Sequence, residues 1–206
     1  MDFSDLNSLQ LFIDEQSLFY FIVTIELILI LVLLLFIIYF GIPFVRGAPF
    51  AVSTPGKTKK MLELVKRYLG DRPRAKAADL GSGDGRLVLA LAANGLEAHG
   101  LEINPFLVWY SRRKVKKAGP ENAFIHRADY LKVNLSEYDI IVLFGVFYMM
   151  DRLEQKLKNE LRPGALIISN YFRFPHWQPI AEQDKIFVYR IERIPSPRRI
   201  VLNSGI

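Results

Sequence analysis

The sequence of 206 residues contains no cysteine. Disulfide bonds, zinc–thiolate sites and thiol nucleophiles are therefore excluded. The three histidines, His99, His126 and His176, are scattered and lack the spacing of metal ligands. We therefore predict that the chain has no metal site.

The first 45 residues contain neither lysine nor arginine, but they contain five acidic residues. All 27 basic residues therefore lie in 46–206, although the net charge of the whole chain is only +6. A strongly basic region favours an anionic partner, either lipid headgroups or nucleic acid. The alternative is a basic but otherwise ordinary soluble surface.

A long apolar run, Leu18 to Phe40, is interrupted only by Thr24 and Glu26. As an α-helix, its 23 residues would extend about 35 Å, enough to cross a bilayer. The alternative is a buried core helix. A cleaved signal peptide and a mitochondrial presequence both fit poorly, because basic residues are absent before the run. Glu26 is costly inside a bilayer, so it either pairs with a partner helix or is protonated or reaches the near interface.

Basic residues after the apolar run orient it. Arg46, Lys57, Lys59 and Lys60 follow the run and none precedes it, which places the C-terminal region on the cytoplasmic side. We predict four segments: an extracytoplasmic segment 1–17, a transmembrane helix 18–40, a neck 41–56 and a globular domain 57–206. A helix is expected to begin at Pro55 and to end near Gly70.

Strand and helix patterns alternate through the globular domain. Predicted strands are Lys76–Asp79, Glu97–Glu102, Ala123–Arg127, Ile140–Phe144, Ala165–Asn170, Lys185–Ile191 and Arg199–Asn203. Predicted helices are Arg86–Asn94, Pro105–Ala118 and Met149–Leu161. This alternation predicts an α/β fold with a mainly parallel sheet, and the short last connection predicts an antiparallel final strand. Such a sheet is the Rossmann-like, seven-stranded sheet of class I methyltransferases.

A glycine-rich turn follows the first strand, Asp79-Leu80-Gly81-Ser82-Gly83-Asp84-Gly85-Arg86. Strand, glycine turn and helix start together let a ligand lie against the backbone. A dinucleotide site places a third small residue where this chain has Arg86. The spacing D-x-G-x-G-x-G instead favours S-adenosylmethionine, and Asp79 suits its ammonium group.

Further candidates lie at the carboxyl ends of the next strands, where ligands bind in such sheets. Glu102 ends the second strand and is placed to accept hydrogen bonds from both ribose hydroxyls. Asp129 follows the third strand and is a candidate acceptor for the adenine amine. Phe144, at the end of the fourth strand, begins an apolar rim beside the reacting centre.

Seven short runs of the sequence resemble, in order, the membrane-anchored protein lysine methyltransferases of the FAM173 type. They are Ala48-Pro49-Phe50, Asp79 to Arg86, Glu102-Ile103-Asn104-Pro105, Leu107 to Ser111, Phe144-Gly145-Val146, Met149-Met150 and Pro175-His176-Trp177. The resemblance implies a methyltransferase domain over 57–206 with S-adenosylmethionine as its cofactor. The candidate cofactor contacts are Asp79, Leu80, Gly81, Ser82, Gly83, Gly85, Glu102, Ile103, Asn104, Asp129 and Phe144.

The family's animal members methylate lysines of the adenine nucleotide translocase and of the c subunit of ATP synthase. We therefore expect a membrane protein as substrate, with a c-type ATP synthase subunit as one candidate. Phe147 stands where the family usually has proline, and residues 170–173 also differ from the usual sequence. These differences concern the acceptor rather than the cofactor.

An acceptor lysine must lose its charge before it can attack, so its site must lower the amine pKa by removing water. Aromatic walls would do this and would tolerate the cationic product. The acceptor-pocket candidates are Phe50, Phe144, Phe147, Tyr148 and Trp177, each of which could instead be an ordinary core residue. No general base is assigned. The basic run 112–117 is either a solvated helix end or a contact with anionic lipid.

The sequence therefore predicts a protein lysine methyltransferase in the inner membrane of a prokaryotic cell, with one span and a cytoplasmic catalytic domain. One alternative is a small-molecule or lipid methyltransferase at the membrane. Another is a membrane scaffold that binds S-adenosylmethionine without catalysis. Nucleic acid is not an expected partner.

Overall fold

The computed structural model describes residues 3–37, 55–70, 72, 74–144 and 147–192. Contacts between residues divide the chain into two units, Met1–Gly47 and Ala48–Ile206. Each unit is described by itself below.

The first unit contains a long helix, α1, which spans Phe3–Phe36. Within it, the apolar segment Gln16–Phe36 reaches a mean hydropathy of 3.0 over 18 consecutive residues, which are not buried. By length and composition this helix is a candidate membrane span. The predicted span began at Leu18 and ended at Phe40, whose position lies outside the described residues. Helix α1 also includes most of the segment predicted to precede the span.

Within its described residues, the second unit contains a seven-stranded sheet, four α-helices and a short 3₁₀ helix. The helices are α2 (Pro55–Leu69), α3 (Arg86–Ala93), α4 (Pro105–Ala118) and α5 (Met150–Glu160). The strands are β1 (Lys76–Leu80), β2 (Glu97–Glu102), β3 (Ala123–Arg127), β4 (Ile140–Phe144), β5 (Leu166–Asn170), β6 (Ala181–Gln183) and β7 (Ile186–Arg190).

The strand order in the sheet is β3-β2-β1-β4-β5-β7-β6. Strands β1 to β5 pair in parallel, and β7 runs antiparallel to both β5 and β6. The predicted fold class is therefore confirmed. Because β1 and β4 are neighbours whose chains continue toward opposite edges, their carboxyl ends form the crevice where such sheets bind ligands.

Helices cover both faces of the sheet because successive strand residues point to opposite sides. Val88 of α3 and Val108 of α4 pack in the core cluster on one face. Leu153 and Leu157 of α5 pack in the cluster on the other face. Burying each such side chain contributes roughly 1.5–3 kcal/mol, so both layers hold the strand ends in place.

Helix α4 has the bounds that its sequence predicts. The Asn104 side chain accepts hydrogen bonds from the N–H groups of Phe106 at 2.9 Å and Leu107 at 3.4 Å. Pro105 occupies the first turn, where its missing N–H costs nothing. Gly119 ends the helix in the left-handed conformation, with a φ of 82°.

The antiparallel end of the sheet differs from the prediction. The predicted strand 185–191 is β7, but its antiparallel partners are β5 and the unpredicted β6. Asp184 and Lys185 form the two-residue turn between β6 and β7, with φ of 51° and 60°. The strand predicted at 199–203 lies outside the described residues.

Helix α2 is fastened to the β6–β7 hairpin and to β7. Lys57 donates to the backbone carbonyl of Asp184, and Lys60 pairs with the Asp184 carboxylate. The Lys60 hydrogen bond lowers the pKa of Asp184. Near the other end of the helix, the Tyr68 carbonyl accepts from Arg190 Nη2 at 2.5 Å.

Candidate active site

The glycine turn after β1 has a backbone that only glycine adopts easily. Gly81, Gly83 and Gly85 have φ values of 78°, 53° and 75°. The N–H groups of Gly81 and Ser82 both donate to the Leu101 carbonyl, at 2.8 and 3.2 Å. The turn is therefore held against β2, and Gly85 leads directly into α3.

Glu102, at the end of β2, joins two turns of the site. Its Oε2 accepts from the Gly83 N–H at 2.9 Å, and its Oε1 accepts from the Asn104 N–H at 2.8 Å. The residue is only 7% exposed. Each carboxylate oxygen can accept more than one hydrogen bond, so ligand hydroxyls can still be received.

Asp79 carries a buried carboxyl at the end of β1 and is 5% exposed. Burial, and then the nearby charges of Glu102 and Asp84, raise the pKa of Asp79 to about 8. Two acidic groups close together in a buried place favour a cation between or beside them. An ammonium group beside Asp79 would restore its ionised form.

The same region has space and an unused polar atom. An ideal Cβ on Gly81 would meet nothing within 4 Å, so ligand atoms can approach the backbone there. The Ser82 hydroxyl is buried and has no hydrogen-bond partner in the described part of the chain. These features fit S-adenosylmethionine, whose amino-acid part carries an ammonium group and whose ribose carries two hydroxyls.

Asp84 fastens the turn to two helices. Its carboxylate accepts from Arg86 Nε at 2.9 Å and from Lys114 Nζ of α4 at 2.8 Å. Burial alone would raise the pKa of Asp84, but the hydrogen bonds from Arg86 and Lys114 outweigh it and hold this pKa at about 2. Arg86, the residue that argues against a dinucleotide, therefore has a structural partner inside the turn.

Asp129 and Tyr130, which follow β3, lie near the carboxylates of the site. Asp129 accepts from the Leu131 N–H at 3.0 Å, and its second oxygen lies 3.8 Å from Lys132 Nζ. Burial, then the charge of Asp129, raises the pKa of the neighbouring Tyr130 to about 12. Tyr148 and Glu102 contribute to the same shift, which places Tyr130 among the predicted site residues. The sequence analysis did not identify Tyr130.

An aromatic wall, defined here as Phe144, Tyr171 and Phe172, lies at the ends of β4 and β5. The Phe144 ring stacks on Tyr171 with centroids 6.2 Å apart, and Phe172 meets Tyr171 edge to face at 5.1 Å. Lys185 Nζ lies 4.8 Å from the centre of the Tyr171 ring. Tyr171 also has a φ of 79°, which is strained for a tyrosine.

The other predicted acceptor residues are less closely grouped. Tyr148 is 65% exposed, whereas Trp177 packs against Phe174 and Tyr189 with ring centroids 5.6 and 5.2 Å away. Phe147 begins a 3₁₀ helix, Phe147–Met149, and Phe50 lies outside the described residues. The role of each in an acceptor pocket stays a prediction.

The Pro175-His176-Trp177 run is held by α5. Glu154 is fully buried, and its Oε2 accepts from the His176 N–H at 2.9 Å. Its Oε1 lies 2.5 Å from Lys158 Nζ, and the same ammonium lies 5.1 Å from the centre of the Trp177 ring. These contacts give the run a structural role beside the core.

Comparison with known proteins identifies the family. The sequence profile of the ANTKMT methyltransferase domain matches residues 79–181, which include the glycine turn and the aromatic wall. The chain belongs to this family. The adenine nucleotide translocase lysine N-methyltransferase of Mus musculus is 37% identical over 157 residues, covering 72% of this chain and 68% of that protein.

A second relative of the ANTKMT-family chain is the Mus musculus lysine N-methyltransferase that is named for the c subunit of ATP synthase. It is 44% identical over 140 residues, covering 66% of this chain. The match spans 56% of that relative, so the chain covers little more than half of its length. Among solved structures, an RNA methyltransferase of Salinibacter ruber in complex with S-adenosyl-L-homocysteine is 27% identical, with a TM-score of 0.63. That match covers 71% of this chain and 97% of the other.

Proposed function

We propose that this protein is an S-adenosylmethionine-dependent protein-lysine N-methyltransferase that acts on a membrane protein. The pair of buried carboxylates around the glycine turn carries the proposal, because Asp79 and Glu102 together suit the two ends of the cofactor. The names of two relatives, which refer to lysines of the adenine nucleotide translocase and of the ATP synthase c subunit, support this acceptor class.

Different site residues would bind different parts of the cofactor. S-adenosylmethionine would supply a methyl group on a sulfonium, which a neutral amine can displace. Asp79 would hold the ammonium group as an ionised carboxylate, and Glu102 would accept hydrogen bonds from the ribose hydroxyls. Both carboxylates are fixed by strand ends, so the ligand meets groups that need no rearrangement.

The aromatic wall would receive the acceptor lysine. Removing water from the lysine amine lowers its pKa, so the amine can lose its proton to solvent and attack. Aromatic faces also stabilise the alkylammonium product. Lys185 Nζ lies 4.8 Å from the centre of the Tyr171 ring, so this ring can hold an ammonium group, and an acceptor lysine would take the place of Lys185.

The N-terminal helix supports the membrane part of the proposal. As a membrane anchor, Gln16–Phe36 would confine the enzyme to lysines near the bilayer and raise their effective concentration. The basic residues that follow it favour a cytoplasmic catalytic domain in the cell membrane. A c-type ATP synthase subunit is the first protein to test as a substrate.

The test is methyl transfer in membranes that contain the full chain. Membranes are incubated with S-adenosylmethionine carrying a labelled methyl group, and protein, lipid and RNA are then separated. We expect label on lysine of a membrane protein, identified by mass spectrometry. The control is Asp79→Asn, which removes the cation partner. Because burial keeps the Asp79 carboxyl protonated in the ligand-free chain below about pH 8, a neutral amide of similar shape should leave the variant folded.

Each other outcome counts against the proposal. Label in the lipid extract would identify a lipid methyltransferase, and label in RNA would identify a nucleic-acid methyltransferase. Bound cofactor without label in any fraction would identify a scaffold. Equal transfer by Asp79→Asn would show that the site is not the one described.

A further inference from the structure

Helix α4 has an outer face that the site described above does not use. Val108, Ser111 and Val115 point inward and are buried. The outer face of α4 consists of the residues at positions i, i+3, i+4, i+7 and i+11, which share one side of a helix. They are Phe106, Trp109, Tyr110, Arg113 and Lys117.

The first two turns of this face are aromatic and largely exposed. Phe106, Trp109 and Tyr110 are 49%, 49% and 45% exposed. Phe106 and Trp109 stack with ring centroids 5.9 Å apart. Several large apolar side chains exposed side by side indicate an interaction surface rather than scattered surface residues.

The last two turns of α4 are basic. The helix carries five lysines and arginines and no acidic residue. Arg113 lies over the Trp109 ring, 4.3 Å from its centre, so the charged and aromatic parts of the face are continuous. Lys116 and Lys117 occupy the last turn and are exposed.

We propose that the outer face of α4 rests in the headgroup layer of an anionic bilayer. Tryptophan and tyrosine prefer this layer because their rings are apolar with a polar edge. Lysine and arginine are attracted to anionic lipid, each by roughly fivefold in affinity near the surface. Protein interfaces are enriched in arginine and aromatic residues but depleted in lysine, so the lysines favour lipid over a protein partner.

The candidate membrane span in the same chain supports this partner. The proposal concerns contact with lipid and does not depend on methyl transfer. It also has a consequence for the site, because α4 begins at the turn capped by Asn104, two residues after Glu102. An outer face in contact with lipid would bring the carboxyl edge of β2 close to the bilayer surface.

Trp109 can report this contact directly, because the chain has only two tryptophans. The full chain is reconstituted as Trp177→Phe, which leaves Trp109 as the single fluorophore. Vesicles are made of phosphatidylcholine alone or of phosphatidylcholine and phosphatidylglycerol in equal parts, each with and without brominated acyl chains. Flotation confirms that the chain is bound, and the ratio of emission in brominated to ordinary lipid measures contact.

We expect quenching of Trp109 in the anionic vesicles and at least severalfold weaker quenching in the neutral ones. Lys117→Glu should reduce quenching in the anionic vesicles. Lys117 is chosen because Arg113 lies over the Trp109 ring, so a change of Arg113 would alter the reporting ring itself. The matched control is Arg152→Glu on α5, which has the same charge change on the opposite face of the sheet. This control should leave quenching unchanged.

A second variant guards against misfolding of Trp177→Phe. Trp109→Phe in the otherwise natural chain should remove the lipid-quenched component and leave the emission of Trp177. Absence of quenching in floated protein, equal quenching in neutral and anionic vesicles, or an equal effect of Arg152→Glu would each overturn the proposal. The proposal would also be overturned if Trp109 were protected from a water-soluble quencher only when a membrane protein is present, and not by lipid alone.

Discussion

The Gly83 N–H donates to Oε2 of Glu102 at 2.9 Å, so the Glu102 carboxylate holds the glycine turn in place. The other oxygen of Glu102 holds the start of α4 through the Asn104 N–H. The group proposed to bind the ribose therefore also fixes the loops around it. Ligand affinity and local stability should depend on the same side chain.

Glu102→Gln should weaken both properties. An amide retains the shape, but its NH₂ group would face the N–H of either Gly83 or Asn104. We expect at least a tenfold loss of affinity for S-adenosylhomocysteine and a loss of about 1–3 kcal/mol in the free energy of unfolding. Calorimetric titration and urea denaturation measure the two quantities.

Glu97→Gln is the matched control on the same strand. Glu97 Oε1 lies 3.3 Å from Lys76 Nζ and 3.1 Å from His99 Nε2, and its side chain is 36% exposed, so its loss should cost about 1 kcal/mol or less. Similar losses in the two variants would contradict the special role of Glu102.

Asp79 should make the stability of the ligand-free protein fall as the pH rises. Its pKa is about 8 in the folded chain against 3.8 as its ordinary value, so between these values the folded chain holds a proton that the unfolded chain has lost. The free energy of unfolding should therefore fall by up to about 1.4 kcal/mol per pH unit from this group. Asp79→Asn lacks this term, so the difference between the two denaturation series isolates it.

The affinity for a ligand that places an ammonium group beside Asp79 should have the opposite trend. Because the ligand needs the ionised carboxylate, S-adenosylhomocysteine should bind wild type more tightly as the pH rises toward 8, and Asp79→Asn should lack this rise. Parallel pH profiles for the two proteins would exclude Asp79 as the cation partner.

Tyr171→Ala should reduce methyl transfer while leaving cofactor affinity unchanged. The variant loses a ring that would exclude water from the amine and stabilise the alkylammonium product, which corresponds to about a tenfold loss in kcat/KM. Initial rates with labelled cofactor on substrate membranes measure the effect. Tyr171→Phe keeps the ring and should keep most of the activity. If both variants lose it equally, the hydroxyl or the backbone, and not the ring, is what matters.

Glu154→Ala should destabilise the protein by about 1–3 kcal/mol in urea denaturation. The change removes a buried carboxylate and leaves the partly buried His176 N–H without its acceptor, although Lys158 can turn to solvent. Asp151→Ala, on the same helix, removes an exposed carboxylate and should cost less than about 1 kcal/mol. An equal cost for the two would show that the buried contact contributes little.

Local signals in the sequence explain what could be predicted. Asn104, Pro105 and Gly119 specify both ends of α4 within a few residues, and the structure has the predicted bounds. The glycine turn was recognisable because its φ values depend on glycine itself. Strand β6, by contrast, has only three residues and no apolar pattern, so its existence depends on pairing with β7.

Contacts distant in sequence were not predictable. Lys114 reaches Asp84 across 30 positions, and nothing near either residue announces the pair. Tyr171 joins the aromatic wall because β5 pairs with β4 in a register that puts Asn170 beside Phe144. Its positive φ has no sequence signal, since tyrosine rarely adopts it.

Helix α2 is attached to the sheet near both of its ends, through Lys57 and Lys60 at Asp184 and through Tyr68 at Arg190. A force applied to the chain before Pro55 would therefore be transmitted to strand β7 and the β6–β7 hairpin, and would not detach α2 alone. Under tension, α2 should not unfold or detach before the strands to which it is bonded. Helix α2 and the sheet that carries the site should therefore move as one body.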